Sequence, residues 1–470
     1  MKELLKNFFI YGFGGILSKL VFFLLLPILT KQLTPAEYGY FDLIFTISSI
    51  ASIFGMLSLE TGFQRQFYLQ SSDKERDVLI STILYAIVIF SAIVAAIVFF
   101  SIPLLSRIWF SGGFTKEIGV ACIEILATNI VLYMQCVMRY DDKPKIYAVI
   151  SVVSALLNAG LSIFFVVVLS MGVMGALLGS ILSQCIISLV LLFIERKHLC
   201  IAFNKQMFKA VAAFAFPMLP ARIGSVANTY ANRFLMITLF SAEMIGLYAL
   251  SVKLASAMTL VHTAFQFAWT PYLYKILNQE GHKPIIVEVF RQSLFVIALI
   301  VIVISLFSKE LVTLVSNEQY VEASSIVGLL CLYNGLFLVK ESTEIGVKVT
   351  GKSVYVTYAY FGSVAVNLLF LAILPRMLGL VGIALALLCS AIFLLYVTIY
   401  FSNRLYKIDF PLGLLTFVIC ITISISLYQA YFDMSLIFKF FISVLSLFAW
   451  IIVLLPRLKK LISGFKNRIK

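Results

Sequence analysis

YAVISVVSALLNAGLSIFFVVVLSMGVMGALLGS, from Tyr147 to Ser180, decides the fold. It reads as two apolar runs joined by an interhelical turn marked by Gly172 and Gly175, with Asn158 ahead of the pair. A second copy, YAYFGSVAVNLLFLAILPRMLGLVGIALALLCS, runs from Tyr358 to Ser390, with Asn367 ahead of Gly379 and Gly382. Measured at the Asn and the two glycines, the offset between the copies is 207 to 209 residues. The same offset carries LTPAEYGYFDL (Leu33 to Leu43) onto LFSAEMIGLYALS (Leu239 to Ser251), superposing Gly39 on Gly246. It also carries FSIPLL at Phe100 onto FSKELV at Phe307. Three matches at one offset mean a duplication: six helices repeat as six, with the same orientation in the membrane.

Outward from this hairpin, apolar runs of about 20 residues recur along the chain, the length that crosses ~30 Å of hydrocarbon. The predicted spans, numbered 1 to 14 here, are 8–30, 40–63, 78–101, 118–138, 146–169, 172–194, 209–240, 245–270, 287–308, 325–346, 354–375, 378–400, 411–431 and 436–456. Span 7 is too long for a straight helix, and Pro217 and Pro220 are expected to bend it near its start. The fold class is therefore all-α membrane protein. The expected lobes are residues 1–200 and 201–405, with 406–470 supplying two additional spans and a basic tail. Composition agrees: 62% of the 470 residues are apolar, 12% are charged and the mean hydropathy is +1.04, whereas a soluble domain carries roughly 25% charge.

The net charge of +14 does not indicate nucleic acid, because the basic residues form short clusters between spans. Counted with the N-terminus inside, and with Lys209 and Arg291 near span ends taken with the inner side, the inner connections and tail carry 25 Lys and Arg, the outer connections carry 5, and six lie deeper within spans. The positive-inside rule then puts both termini in the cytoplasm. The basic and apolar start reads as a retained first helix, since no small-residue cleavage site follows it. Seven cysteines are scattered singly, with no CxxC pair or Cys/His cluster, so no disulfide frame, metal site or cofactor site is expected.

Charges within a bilayer cost at least ~2.5–3.5 kcal/mol and should face a cavity or a partner. Span 7 carries Arg222, Ser225, Thr229, Asn232 and Arg233 as one stripe, with Arg222 ~20 Å from the helix start. Span 1 carries Lys19, span 8 Lys253, and span 10 Asn334, Glu341, Glu344 and Lys348 with Lys340 beside them. Span 2 carries Asp42, Thr46, Ser49, Glu60 and Gln64, and span 4 carries Glu124, Thr128, Gln135 and Arg139. Spans 3, 5, 6, 9, 11, 12 and 14 show no comparable stripe, and Lys439 is close enough to a span end to snorkel. The polar faces thus gather on equivalent spans of both halves, which describes a water-filled cavity between two lobes. Lys19, Arg222, Arg233, Lys253 and Lys340 are the candidate substrate-binding cations. Asp42, Glu124, Glu341 and Glu344 are the candidate coupling groups for a proton or cation gradient. Lys340 with Glu344 also has the spacing of a structural i,i+4 pair, and Glu60 reads as interfacial. His262 reads as a hydrogen-bonded packing residue.

The duplicated Asn-to-GxxG turns, LTPAEYGYFDL after span 1, and the FPMLP…ANRFLMITLF…IGLY run through span 7 resemble polysaccharide-export flippases. That family belongs to the superfamily that also holds multidrug exporters and the peptidoglycan-precursor flippase. The family run often has an acid before the span 7 arginine; here Asn232 stands there. The resemblance implies alternating-access transport of an undecaprenyl-diphosphate-linked oligosaccharide, such as an O-antigen repeat unit of lipopolysaccharide, across a bacterial inner membrane. It implies membrane lipids and other polysaccharide-assembly membrane proteins as partners, and no cofactor. A peptidoglycan-precursor lipid flippase is the closer alternative, separated by its full motif set or by complementation, and a multidrug exporter would favour an acid-dominated cavity. A membrane glycan polymerase or ligase would need a long outer loop for chemistry, and no catalytic residues are expected here.

Overall fold

The computed structural model describes residues 17, 18, 20, 21, 23–141, 143–277, 281–350, 354–448, 450 and 451. Among them every regular element is a helix. Ten helices are long and apolar enough to cross a membrane. One of these, Val354–Leu405, is two spans, because Gly379 at φ +54° interrupts it. Leu219–Leu239 has the length but carries Arg222 and Arg233, which lower its hydropathy. Two shorter apolar helices, Phe23–Gln32 and Leu436–Phe448, fall in spans 1 and 14. The described helices make an all-α membrane protein of about fourteen spans.

The two GxxG turns are built alike. Gly172 and Gly379 take φ +56° and +54°, and Gly379 combines it with ψ −131°, backbone that costs a residue with a Cβ roughly 1–3 kcal/mol. The second glycines serve a different purpose. A Cβ on Gly175 would lie 2.9 Å from the backbone carbonyl of Phe165, and one on Gly382 would run into the backbone of Leu374 and Pro375. Each turn therefore needs one glycine for its φ and one so that the departing helix can pass close to the arriving one. The arriving span of the first copy ends in a π-helical turn, Phe164–Val168.

The remaining repeats hold at the level of elements. FSIPLL and FSKELV each open an eight-residue helix, Ile102–Trp109 and Ser308–Val315. Gly39 and Gly246, superposed by the duplication, pack against each other: a Cβ on Gly246 would meet the Pro35 carbonyl and lie 3.0 Å from the Gly39 nitrogen. Span 2 begins at Pro35 behind a capping box, in which Thr34 N–H donates to Glu37 Oε2 at 2.8 Å and Glu37 N–H donates to Thr34 Oγ1 at 3.3 Å.

Span 2 differs from the expected continuous helix. It runs Pro35–Met56, breaks at Leu57 and Ser58 with φ +50° and +56°, and resumes as Leu59–Phe67. Asp42 and Glu60 therefore do not share one stripe, as the uninterrupted period had implied. Span 7 bends where its prolines indicate: Lys205–Ala215 passes through a 3₁₀ turn, Phe216–Met218, into Leu219–Leu239. Span 10 likewise turns at Glu344 between Ser324–Thr343 and Ile345–Thr350.

The chain forms two compact units, residues 1–246 and 247–470. The boundary falls inside span 8 because its first residues pack on span 2 through Gly246. In the first unit Asn129 of span 4 ties three spans: its Nδ2 donates to the Ser52 carbonyl at 3.0 Å and to Ser91 Oγ at 2.7 Å, and its Oδ1 accepts from Ser52 Oγ. In the second unit the additional span Leu412–Tyr431 packs on His282–Leu306 and Ser324–Thr343. Ser426 meets Ser305 there at 2.8 Å.

Candidate functional site: charges within the spans

In the first unit, Arg233 reaches from Leu219–Leu239 to span 2, where its Nε donates to Asp42 Oδ2 at 2.6 Å. Both side chains are buried. The pair is 191 residues apart in sequence, which is why no local acid had to precede the arginine. A charge-assisted bond of this length in a low-dielectric setting is strong once formed, and removing either partner strands the other. The geometry thus commits Arg233 and Asp42 to each other, although one had been read as a substrate-binding cation and the other as a coupling acid.

Arg222 lies three turns earlier and is held differently. Its side chain is 50% exposed, and its closest acid is Glu60 on Leu59–Phe67, at 3.8 Å. That distance is an ion pair without a hydrogen bond. Among the described residues the Arg222 guanidinium makes no hydrogen bond, and half of its side chain is exposed. Glu60 keeps one buried carboxylate oxygen without a partner. Glu124 in span 4 resembles it: Ser180 Oγ of span 6 donates to Oε1 at 2.7 Å, and Oε2 is buried without a partner.

In the second unit the acids and bases of span 10 form a closed quartet. Lys340 Nζ lies 2.5 Å from Glu344, and Lys348 Nζ lies 2.5 Å from Glu341 and 3.0 Å from Glu344. Lys340 also sits over the Tyr360 ring at 5.2 Å. Two cations and two carboxylates leave no net charge. Lys340, Glu341 and Glu344 come together, with Lys348 as a fourth member that had been placed in the stripe but given no role. Lys253 is half-buried in Ala242–Ala255. Lys19 lies outside the described residues, as do the side chains of Ser225 and Thr229.

Two expectations need correction. Lys439 does not snorkel: it is 1% exposed, with its ammonium 2.8 Å from Glu310 and 3.5 Å from Asp433. Burial forces a pairing that the span-end position did not reveal. His262 is not satisfied as a hydrogen-bonded packing residue, because its Nε2 is buried without a partner. A further cluster lies outside the spans, where Asp141, Glu195 and His198 bring their ligand atoms within 4.8 Å of one another. Lys143 Nζ already sits among them, 2.7 Å from Asp141 and 2.8 Å from Glu195. Burial lowers the Lys143 pKa, and hydrogen bonds and attraction from the two carboxylates more than offset it, raising the net value.

Residues 28–325 match the family described as "Polysaccharide biosynthesis protein". The chain belongs to this family. An "Uncharacterized membrane protein" of Haemophilus influenzae is 25% identical over 325 residues, covering 68% of this chain and 75% of the relative. Among solved structures, the fold is similar to that of "Lipid II flippase MurJ, inward closed conformation", with a TM-score of 0.72 and 12% identity, covering 95% of this chain and 99% of that one. It is also similar to an inward-facing multidrug resistance MATE family transporter of the MOP superfamily, with a TM-score of 0.64 and 14% identity, covering 82% and 94%. At these identities the likeness is one of fold. It agrees with the all-helical architecture and with the resemblance read from the Asn-to-GxxG turns.

Proposed function

We propose that this family member is a flippase that carries an undecaprenyl-diphosphate-linked oligosaccharide, such as an O-antigen repeat unit, across the bacterial inner membrane. It works as a transporter and makes no covalent bond. Both termini face the cytoplasm, as the basic-residue asymmetry favours. The observation that carries the reading is Arg222, a half-exposed guanidinium within a membrane span whose closest acid lies beyond hydrogen-bond reach. A diphosphate offers such a fork two sets of oxygens. The buried pair Arg233–Asp42 and the neutral quartet on span 10 then position helices and leave Arg222 to the cargo. Glu124, with one carboxylate oxygen unsatisfied, is the coupling acid this reading favours.

The test is complementation of a flippase-null strain. Arg222→Ala should accumulate in the membrane at the normal level and fail to restore surface polysaccharide, while Arg222→Lys rescues in part. Glu60→Gln, which removes the loose partner, should retain function. Full rescue by Arg222→Ala at normal abundance would overturn the proposal.

A further inference from the structure

A groove of about 500 Å³ opens in the second unit, lined by Lys283, Glu288 and Arg291 of His282–Leu306 and by Lys407 and Asp409 of the connection before Leu412–Tyr431. Its construction follows from two periodicities. On the helix, positions 284, 287, 288 and 291 form one stripe beside the buried row of Ile286, Phe290 and Leu294, and Lys283 stands in the first turn. The connection alternates: Ile408 and Phe410 are buried, and Lys407 and Asp409 are exposed. Phe410 packs on Phe290 with ring centroids 4.9 Å apart, and Asn403 Oδ1 accepts from the Ile408 N–H at 3.3 Å. The charged lip is thus fixed on an apolar footing. Lys283 stands 4.7 Å over the Tyr406 ring, whose hydroxyl meets His282 Nε2 at 2.6 Å.

The cations on this wall are only partly matched among the described residues. Lys407 and Asp409 meet at 3.9 Å while largely exposed, and Glu288 Oε1 accepts from Gln292 at 3.3 Å. Neither Lys283 nor Arg291 makes an ion pair among the described residues. The helix holds 25 residues, ~37 Å at 1.5 Å per residue, which exceeds the ~30 Å hydrocarbon layer. With the excess on this side the first turns lie among lipid headgroups, and Arg291, ~13 Å from the helix start, reaches back toward them through its long side chain. A cation at that depth seeks phosphate oxygens.

We propose that this groove binds the headgroup of an aminophospholipid, on the side that the basic-residue count assigns to the cytoplasm. Three cations set with two carboxylates match a group that carries both a phosphate and a primary ammonium. The phosphate meets Lys283, Arg291 and Lys407, and the ammonium meets Glu288 and Asp409. An anionic headgroup would leave the carboxylates facing it, and a trimethylated amine could donate no hydrogen bonds to them.

The full-length protein in nanodiscs provides the test, read by lipid retention in native mass spectrometry and by the thermal inactivation midpoint. Phosphatidylethanolamine should be retained at least tenfold over phosphatidylcholine and phosphatidylglycerol. Arg291→Gln should abolish that preference, and Glu288→Gln with Asp409→Asn should make the ethanolamine and choline lipids equivalent. Lys407→Gln changes an exposed loop side chain, so its weakened retention can be read without concern for folding. Phosphatidylglycerol retained as well as phosphatidylethanolamine, or a preference that survives Arg291→Gln, would overturn the proposal. Equal protection by soluble glycerophosphoethanolamine at the same concentration would show that a free phosphoamine is the ligand, and would overturn the lipid assignment.

Discussion

At the scale of single residues, two glycines three positions apart do different work, and substitutions should separate them. Gly379→Ala places a Cβ in open space but at φ +54° and ψ −131°, so it should cost roughly 1–3 kcal/mol of backbone strain and lower the thermal inactivation midpoint without abolishing accumulation. Gly382→Val drives a side chain into the backbone of Leu374 and Pro375, where nothing flexible can yield, and should sharply reduce membrane accumulation. Comparable losses from the two variants would contradict this division. Arg233→Ala should strand buried Asp42 at a cost of ~3–5 kcal/mol, read as loss of detergent-solubilised folded protein. Arg233→Met with Asp42→Asn should recover much of that loss, since it removes both charges together.

At the scale of elements, the break in span 2 is open to direct test. Leu57 and Ser58 both adopt left-handed backbone without being glycine, and Ser58 makes no capping bond with its side chain. Ser58→Gly should therefore stabilise the protein by up to ~1 kcal/mol, seen as a raised thermal midpoint; a lowered midpoint would mean the serine packs in a way its backbone does not show. The helices themselves were legible from run length, and the bend in span 7 from Pro217 and Pro220. The break at Leu57 was not, because neither residue belongs to the types that announce left-handed backbone. Partnerships were the least legible. Reading one helix at a time reveals pairs at i,i+4, such as Lys340 with Glu344, and is blind to Asp42 with Arg233 or Glu310 with Lys439. Those meet only once distant spans pack, and the chemistry assigned to each charge changes with its partner. Ser180 beside Glu124 gave no signal either, since a serine in an apolar span is ordinary.

At the scale of the whole molecule, the proposed orientation rests on the distribution of 25 basic residues on one side against 5 on the other. Reporter fusions after Lys197, Arg404 and Lys470 should all report cytoplasm, and a periplasmic signal at any one would require a different span count. The duplication and the compact units divide the chain at different places, near residue 200 by repeat and at 246 by contact. The difference is span 7, which repeats span 1 in sequence order yet is bonded to span 2 through Arg233 and Asp42.

The buried ammonium of Lys439 has a consequence for how the chain is made. Glu310 emerges from the ribosome 129 residues before it, so the receiving carboxylate is already installed when the last hairpin enters the bilayer. Asp433 arrives within that hairpin and reaches both Lys309 and Lys439. Entry of the final spans thereby gains from correct placement of the helices before them: a nascent chain that has misthreaded span 9 lacks Glu310 and leaves Lys439 with Asp433 alone. Such a chain should be a better substrate for membrane proteolysis. A Glu310→Ala chain should accordingly be degraded soon after synthesis in pulse-chase, while a chain terminated after Tyr431 escapes that particular surveillance.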